Sequence, residues 1–390
     1  MIGAVADDFT GAAEIGAVGL RHGLRAEVVL AGEPSGDPDL VCIDTDSRSC
    51  NATTAARRAA GAALLLRDRG ATWIYKKTDS VLRGNVTPEI EAIVKQLGLS
   101  GAVLAPGNPS LGRTIVNGRY FVGGRLIHQT AFAHDPKHPR LSPNVLELID
   151  EPSALPILVR KPGEPLPERG IVIGEVATSE DLHRWAALRH ENWLMAGAAE
   201  FFDAMLDPGS PLPETRPARG AQLFVCGSAS QATRDFAACQ VKHGVPVFSL
   251  PDKLTSSHMF SAQEVSALAD AVVTALQAST RAILHVDLPP VKDVSLAESL
   301  AVHLVRVAED ALRGAEVGHV FAEGGATAVA LARRMGWKRL AVTAELAPGV
   351  VTLSVGDGDP RLLTIKPGSY AWPETLREPS PRSDGGRPGP

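Results

Sequence analysis

The stretch Lys76-Lys77-Thr78-Asp79-Ser80-Val81-Leu82-Arg83-Gly84-Asn85 brings two lysines, an aspartate, a serine, an arginine and an asparagine into one turn. Lysine and arginine can hold an anionic ligand, and a carboxylate beside them can take a proton from a hydroxyl. The turn follows a β-branched and aromatic run, Thr72-Trp73-Ile74-Tyr75, and precedes a helical pattern through Ile90, Ile93, Val94 and Leu97. Thr87 is the expected N-cap and Pro88 the first helical residue, with Glu89 and Glu91 favouring the positive helix end. Open α/β sheets bind ligands in the crevice beyond the carboxyl ends of their strands. The strand period of two places Tyr75, Lys77 and Asp79 on one face, so that Lys77 and Asp79 address one ligand. The same residues also suit a capped turn carrying a surface Lys–Asp pair.

Two further polar clusters follow expected strands. Asp7-Asp8-Phe9-Thr10-Gly11 comes after the apolar residues 2–6, and Asp44-Thr45-Asp46-Ser47-Arg48 after residues 40–43. Three clusters at three strand ends would converge on one crevice. Asp7 also suits the cap of the helix that follows it. In the second half, Cys226-Gly227-Ser228-Ala229-Ser230 joins a strand pattern to a helix whose first turn contains Thr233. Glu323-Gly324-Gly325-Ala326-Thr327 repeats the arrangement, and Lys366-Pro367-Gly368-Ser369 adds a cation beside a turn. Small residues let backbone N–H groups approach an anion at a helix N-terminus, and serine hydroxyls add donors. Neither GxxxxGK[ST] nor GxGxxG occurs, so it is the two loops and the lysine together that point to a nucleotide. His134 and His138 are four apart, but Pro136 between them breaks the helical geometry that a metal pair needs. Residues 128–144 read instead as a surface or substrate-edge loop.

A scaffold must hold these groups. Short apolar runs alternate with helical patterns from residue 2 to residue 104 and again from 222 to 365, with early helices over 54–67 and 88–97. Repeated β-α order predicts an α/β protein with a mostly parallel sheet flanked by helices in each half. A chain of 390 residues exceeds one ordinary core. The Pro/Gly-rich residues 206–220 read as a linker between an N-terminal domain over 1–205 and a C-terminal domain over 221–377. The tail 378–390 is expected to be disordered. Asn117-Gly118 predicts a hairpin turn, and residues 340–343, 350–355 and 362–365 read as closing strands of the second half.

Composition removes several classes. Net charge is −5, from 39 basic and 44 acidic residues without a basic block, and aromatics make up 5%, so nucleic acid is not the expected partner. No uncharged apolar run reaches a membrane span, and acid from Asp7 onward excludes a signal-peptide n-region. Cys42, Cys50, Cys226 and Cys239 form neither CxxC nor a zinc spacing, which predicts reduced thiols in a cytoplasmic protein.

In order along nearly the whole chain, these segments resemble the four-carbon acid sugar kinases, ATP-dependent enzymes that phosphorylate threonate, erythronate or 3-oxo-tetronate. Ala6-Asp7-Asp8-Phe9-Thr10-Gly11-Ala12 is similar to the family's ADDxTGA start, and Lys76 to Asn85 to its KK-x-DS-x-LRGN signature. Gly112-Arg113-Thr114 with Asn117-Gly118 resembles GRTTxNG, and His128-Gln129-Thr130 with Asp135-Pro136 the next loop. Gly227-Ser228-Ala229-Ser230 with Thr233 resembles GSxS-xxT, Gly324-Gly325-Ala326-Thr327 resembles GGxT, and Lys366-Pro367-Gly368 the closing K-x-G turn. The resemblance implies an acid-sugar-binding N-terminal domain, a nucleotide-binding C-terminal domain, and an active site in the cleft between them, using ATP and Mg²⁺.

On that resemblance Lys77 or Arg83 would hold the acid-sugar carboxylate. Asp7, Asp8, Asp79, Asn85, Arg113 and Asn117 are the further substrate-side candidates, with Asp8 or Asp79 as the base toward the terminal hydroxyl. Ser228, Ser230, Gly324, Gly325, Ala326, Thr327, Lys366 and Gly368 would bind the nucleotide, and no residue is assigned to a protein-held metal. There are departures: Ala326 stands where many members carry Glu, Gln129 where Glu is common, and Pro367-Gly368-Ser369-Tyr370 replaces S-G-x-F. They raise the alternative of a non-catalytic nucleotide- and sugar-acid-binding protein that has lost phosphoryl transfer. An aldolase would need Lys77 as a Schiff-base lysine, and a dehydrogenase lacks its GxGxxG. Homo-oligomerisation is left open.

Overall fold

The computed structural model describes residues 1–135, 137–149, 152–212, 220–251, 260–287, 294–356, 358–368 and 370–377. The chain divides into two compact units, Met1–Glu214 with Lys338–Ala344, and Thr215–Trp337 with Glu345–Pro390. Part of the expected linker (213–219), the whole tail 378–390, Pro136 and Ser369 lie outside the described residues.

The first unit runs β1 (Ile2–Ala6), α1 (Phe9–Arg21), β2 (Ala26–Val29), β3 (Leu40–Asp44), α2 (Ala52–Asp68), β4 (Ile74–Lys77), α3 (Val86–Leu97) and β5 (Gly101–Ala105). A small antiparallel sheet follows, β6 (Arg113–Val116), β7 (Arg119–Val122) and β8 (Arg125–Leu126), with the Asn117-Gly118 turn at positive φ as the sequence predicts. Then come α4 (Val145–Leu148), β9 (Ile157–Arg160), β10 (Gly170–Gly174), α5 (Ser179–Ala186), β11 (Trp193–Gly197) and α6 (Ala199–Ala204). The large sheet has the order β2-β3-β1-β4-β11-β5-β10-β9, all parallel. Its strands are near-continuous apolar runs because helices cover both faces, and β3, β5 and β10 are buried throughout. Consecutive residues of β4 report those two faces. The Lys76 ammonium reaches Glu89 on α3 at 2.7 Å, while that of Lys77 reaches Glu14 on α1 at 3.1 Å.

The second unit continues with β12 (Ala221–Cys226), α7 (Gln231–Lys242), β13 (Val247–Ser249), α8 (Ala262–Ala278), β14 (Arg281–His285), α9 (Val294–Gly314), β15 (Val317–Glu323) and α10 (Gly325–Met335). The last strands are β16 (Arg339–Ala347), β17 (Val350–Val355) and β18 (Leu362–Lys366). Strands β13-β14-β12-β15-β18 are parallel neighbours, and β17 runs antiparallel to β18. Phe224 stacks on Phe321 with centroids 4.2 Å apart, and Trp372 meets both edge-on.

Three local expectations change. The start of β16 is not a closing strand of the second half: Arg339 to Ala341 pair antiparallel with β2 and satisfy its outer edge. Gly16 leaves room for that strand, since a Cβ there would lie 2.6 Å from Val342. Helix α3 begins at Val86 with Asn85 as its N-cap, ahead of the expected Thr87, because Gly84 at φ +87° turns the chain early. Asp8, not Asp7, caps α1, accepting from the Gly11 N–H at 2.9 Å. No helix among the described residues is long and apolar enough to cross a membrane.

Candidate functional site

In the first unit the ends of β1, β3 and β4 bring their polar clusters together, and Arg48 joins them. The loop carrying Arg48 docks on the end of β1 through backbone N–H groups of Ser47 and Arg48 donating to Asp7 O. The Arg48 fork then holds Asp7 through two bonds of 2.7 and 2.9 Å, Asp8 through one of 2.7 Å, and lies 3.8 Å from Asp79. Gly84 makes this possible, since a Cβ there would stand 3.3 Å from the Arg48 Cα. Arg48 is absent from the candidates chosen by motif. Its place in the third strand-end cluster was the available signal.

The strand period does not extend to Asp79, because β4 ends at Lys77. Asp79 instead organises its own turn. Its Oδ1 accepts from the Val81 and Arg83 N–H groups, and both oxygens accept from the Arg83 guanidinium. Burial opposes the Asp79 charge, but Arg83 and Arg48 outweigh it and hold the carboxyl well below the usual range. Burial likewise opposes the Asp7 charge, and Arg48 with Lys76 brings its pKa down. Arg83 also reaches Asp135 at 2.9 Å, so its fork is engaged within the protein. Burial works against the Lys77 ammonium, yet Glu14, Asp8 and Asp7 together raise its pKa. A protonated Lys77 does not suit a Schiff base.

Asp8 and Lys77 adjoin. A Cβ on Gly11 would lie 2.8 Å from Asp8 Oδ1 and 3.4 Å from Lys77 Nζ, which explains the glycine three positions after the cap. Arg113 sits on β6, donates to Ser80 Oγ and lies over the Phe132 ring at 5.6 Å. Asn85 spends its amide on Ser47 O and Cys50 O at 3.0 Å each, a positioning contact. Asn117 stands exposed in its hairpin turn at φ +49°, a conformation that itself accounts for the residue type.

Asp44, at the end of β3, is 6% exposed and accepts one hydrogen bond, from the Asp46 N–H. Burial pushes it up to about 8 against that hydrogen bond, with Asp8, Asp46 and Asp7 adding to the rise. An unfolded carboxyl titrates near ~3.9. Between those values the folded protein keeps a proton that the unfolded chain has lost, so this group's stabilising contribution falls as pH climbs from about 4 to 8. Asp44→Asn should therefore gain thermal stability over the wild type progressively from pH 5 to pH 8. One pKa unit is worth ~1.4 kcal/mol, enough to move a melting midpoint by degrees. A difference in Tm that stays flat with pH would show that Asp44 titrates as an ordinary carboxyl.

In the second unit the last residues of β14, β12, β15 and β18 stand in register, His285 beside Cys226, Cys226 beside Glu323, and Glu323 beside Lys366. Two loops leave this row. Gly227 has no room for a side chain, because a Cβ would lie 2.0 Å from Thr327 Oγ1. Ser230 caps α7 by accepting from the Thr233 N–H at 3.2 Å, and Ser228 Oγ donates to Gly368 O at 3.1 Å. Helix α10 starts differently. Its N-cap is Gly324 at φ +92° with no side-chain cap, and Ala326 in its first turn is exposed. The N–H groups of Gly325, Ala326 and Thr327 thus begin a helix without a side-chain acceptor, which fits a polyphosphate. Lys366 is 1% exposed and bonded to Glu323, Pro367 O and Tyr370 O. Glu323 was visible only as the residue before the glycines.

Comparisons with known proteins follow the same division. A family model described as a sugar-binding N-terminal domain matches residues 2–205, and one described as a nucleotide-binding C-terminal domain matches residues 223–372. The chain is 29% identical over 381 residues to the D-threonate kinase of Salmonella typhimurium, covering 88% of each. It is 27% identical over 426 residues to the 3-oxo-tetronate kinase of Cupriavidus necator, covering 97% of this chain and 96% of that one. A crystal structure of a Haemophilus influenzae protein has the same fold with a TM-score of 0.74 at 20% identity, over 95% of this chain and 97% of the other. With the two domain models matched in order over residues 2–205 and 223–372, and with such relatives, the chain belongs to the four-carbon acid sugar kinase family.

Proposed function

We propose that the protein is an ATP-dependent kinase that phosphorylates a four-carbon sugar acid (threonate, erythronate or 3-oxo-tetronate), with the terminal hydroxyl as acceptor. The observation that carries this reading is the division of labour between the units: a cluster of paired cations and carboxylates around the partly open Asp8 in the one, and a helix start without a side-chain cap among small residues in the other. Phosphoryl transfer asks for positioning, charge neutralisation and a group to take the hydroxyl proton. ATP supplies the phosphoryl group. Mg²⁺ is expected to come with its phosphates, whose charge it would neutralise.

Arg48 is taken up by Asp7 and Asp8, so the cations that would meet the acid-sugar carboxylate are Lys77, paired on one side with Glu14, and Arg113, which donates to Ser80 Oγ. Of the two candidate bases, Asp8 is the better placed. Both carboxylates accept hydrogen bonds within the protein, Asp79 from the Val81 and Arg83 N–H groups and the Arg83 fork, Asp8 from the Gly11 N–H, the Thr10 hydroxyl and Arg48. What separates them is that the Asp79 carboxyl is held strongly ionised and lies deeper. The Asp8 side chain is 20% exposed against 8% for Asp79, and it adjoins Lys77. Asp8 would take the proton as the hydroxyl oxygen bonds to the γ-phosphorus of ATP and the bond from that phosphorus to the β–γ bridging oxygen breaks, leaving ADP on the Gly324–Thr327 helix start. A small-molecule kinase of this kind fits a cytoplasmic location. The binding-only alternative is not favoured, because relatives matched over nearly their whole length carry kinase names.

ADP release with Mg·ATP across D- and L-threonate, D- and L-erythronate and the 3-oxo-tetronates tests the reading. Turnover with one of them is expected. ATP binding without turnover on any would favour the binding-only protein, and absence of ATP binding would remove the nucleotide role of the second unit.

A further inference from the structure

Glu323 ends β15, is 0% exposed, and has no role in the reaction described above. Its Oε1 accepts from Thr233 Oγ1 at 2.5 Å and pairs with the Lys366 ammonium at 3.1 Å. The Thr233 hydroxyl also meets Ser230 Oγ at 2.9 Å. The Ser230 N–H donates to Ser228 Oγ at 3.2 Å, and Ser228 Oγ donates to Gly368 O at 3.1 Å. Gly368 is two residues beyond Lys366, whose ammonium returns to Glu323. The ring is closed, and its donors and acceptors agree. Ser230 gives its hydroxyl proton to Thr233, Thr233 gives its own to Glu323, and Ser228 accepts from one neighbour while donating to the next.

An ammonium has three N–H donors. Those of Lys366 go to Glu323, to Pro367 O at 3.1 Å and to Tyr370 O at 2.5 Å. The side chain therefore acts as a clamp on the turn that follows it rather than as a free hand for a phosphate. Glu323 grips the loop after β12 through Thr233 and the turn after β18 through Lys366. The α10 start grows directly from its own backbone, with the Gly324 N–H on Lys366 O at 2.8 Å.

We infer that Glu323 is a positioning residue of the nucleotide site: through this ring it fixes the Ser228–Ser230 loop, the Lys366–Gly368 turn and the α10 start in one geometry before nucleotide arrives. The inference rests on the nucleotide reading of the second unit. Preorganised N–H groups bind without an ordering cost, so loosening the ring should weaken nucleotide binding and leave acid-sugar binding alone.

The test compares Glu323→Gln, Thr233→Val and Thr233→Ser with the wild type. A fluorescent ADP analogue reports nucleotide affinity, the acid sugar's KM reports the first unit, and thermal melting reports the fold. Glu323→Gln and Thr233→Val should each weaken the analogue about tenfold or more with the acid-sugar KM within about twofold, and Thr233→Ser should restore affinity. Analogue affinity within about twofold of wild type in folded Glu323→Gln or Thr233→Val would overturn the inference. So would a Thr233→Ser protein as weak as Thr233→Val, or nucleotide and acid-sugar affinities falling together. Should Glu323→Gln not fold, the two Thr233 variants decide alone. A wild type that does not bind the analogue would instead overturn the nucleotide reading, and the inference with it.

Discussion

Asp8→Asn should lower kcat by about 10²–10⁴-fold while leaving the KM values for acid sugar and ATP within a few-fold of wild type. Asparagine caps a helix about as well as aspartate, so the bond from the Gly11 N–H and the start of α1 survive. With the amide oxygen in place of Oδ1 for the cap, the Arg48 N–H faces an NH2 group where it had Oδ2 and loses that acceptor, and the Thr10 hydroxyl must turn, which is where the smaller KM effects would arise. What the amide cannot do is take a proton. Asp79→Asn is the matched control, and its consequences differ in kind. It removes the charge facing the Arg83 fork and Arg48, so the turn from Asp79 to Arg83 loosens and stability falls. Single-turnover measurements separate the two. The assignment would be reversed by an Asp8→Asn enzyme near wild-type kcat together with a folded Asp79→Asn enzyme that has lost it.

Sequence alone carried the parts of the molecule that depend on local pattern. The β-α alternation from residue 2 to residue 104 announces a parallel sheet flanked by helices, and its strands Leu40–Asp44 and Gly101–Ala105 are buried throughout as such a sheet requires. Asn117-Gly118 is legible because its two positive-φ residues are what a tight hairpin turn demands. The three strand-end clusters were legible as well, because parallel strands deliver their carboxyl ends to one side. The wiring within each cluster was not. Arg48 grips Asp7 and Asp8 across about forty residues of chain, and nothing in the spacing says which cation meets which acid. Lys77 and Arg83 looked like free hands for a carboxylate, but folding gives each an internal partner, Glu14 and Asp79. Glu323 and Lys366 are a pair only because β15 and β18 are neighbours in register. The GGxT-like loop pointed to the helix start, while its preceding glutamate looked like an ordinary strand residue.

Arg48→Met should cost about 3–5 kcal/mol of stability at neutral pH, because it leaves buried carboxylates without their shared cation. Asp7 is 3% exposed and Asp79 6%, and Asp8 lies between them on the same guanidinium. The pH dependence follows from the directions already given. Asp7 and Asp79 have folded pKa values below the unfolded ~3.9, so their stabilising contribution is present above that value and is lost as pH falls through the folded ones. Without Arg48 much of that depression disappears, and the variant takes up protons at higher pH than the wild type. The difference in Tm between the two should therefore be greatest near pH 7 and narrow as pH falls toward 4. Arg48→Lys restores a charge but not a fork that can hold Asp7 by two bonds and Asp8 by a third, so it should recover part of the stability and little of the activity. A Tm difference independent of pH would show that Arg48 acts through packing, and full activity in Arg48→Lys would show that a single positive charge, not the planar bridge, is what the acid-sugar site requires.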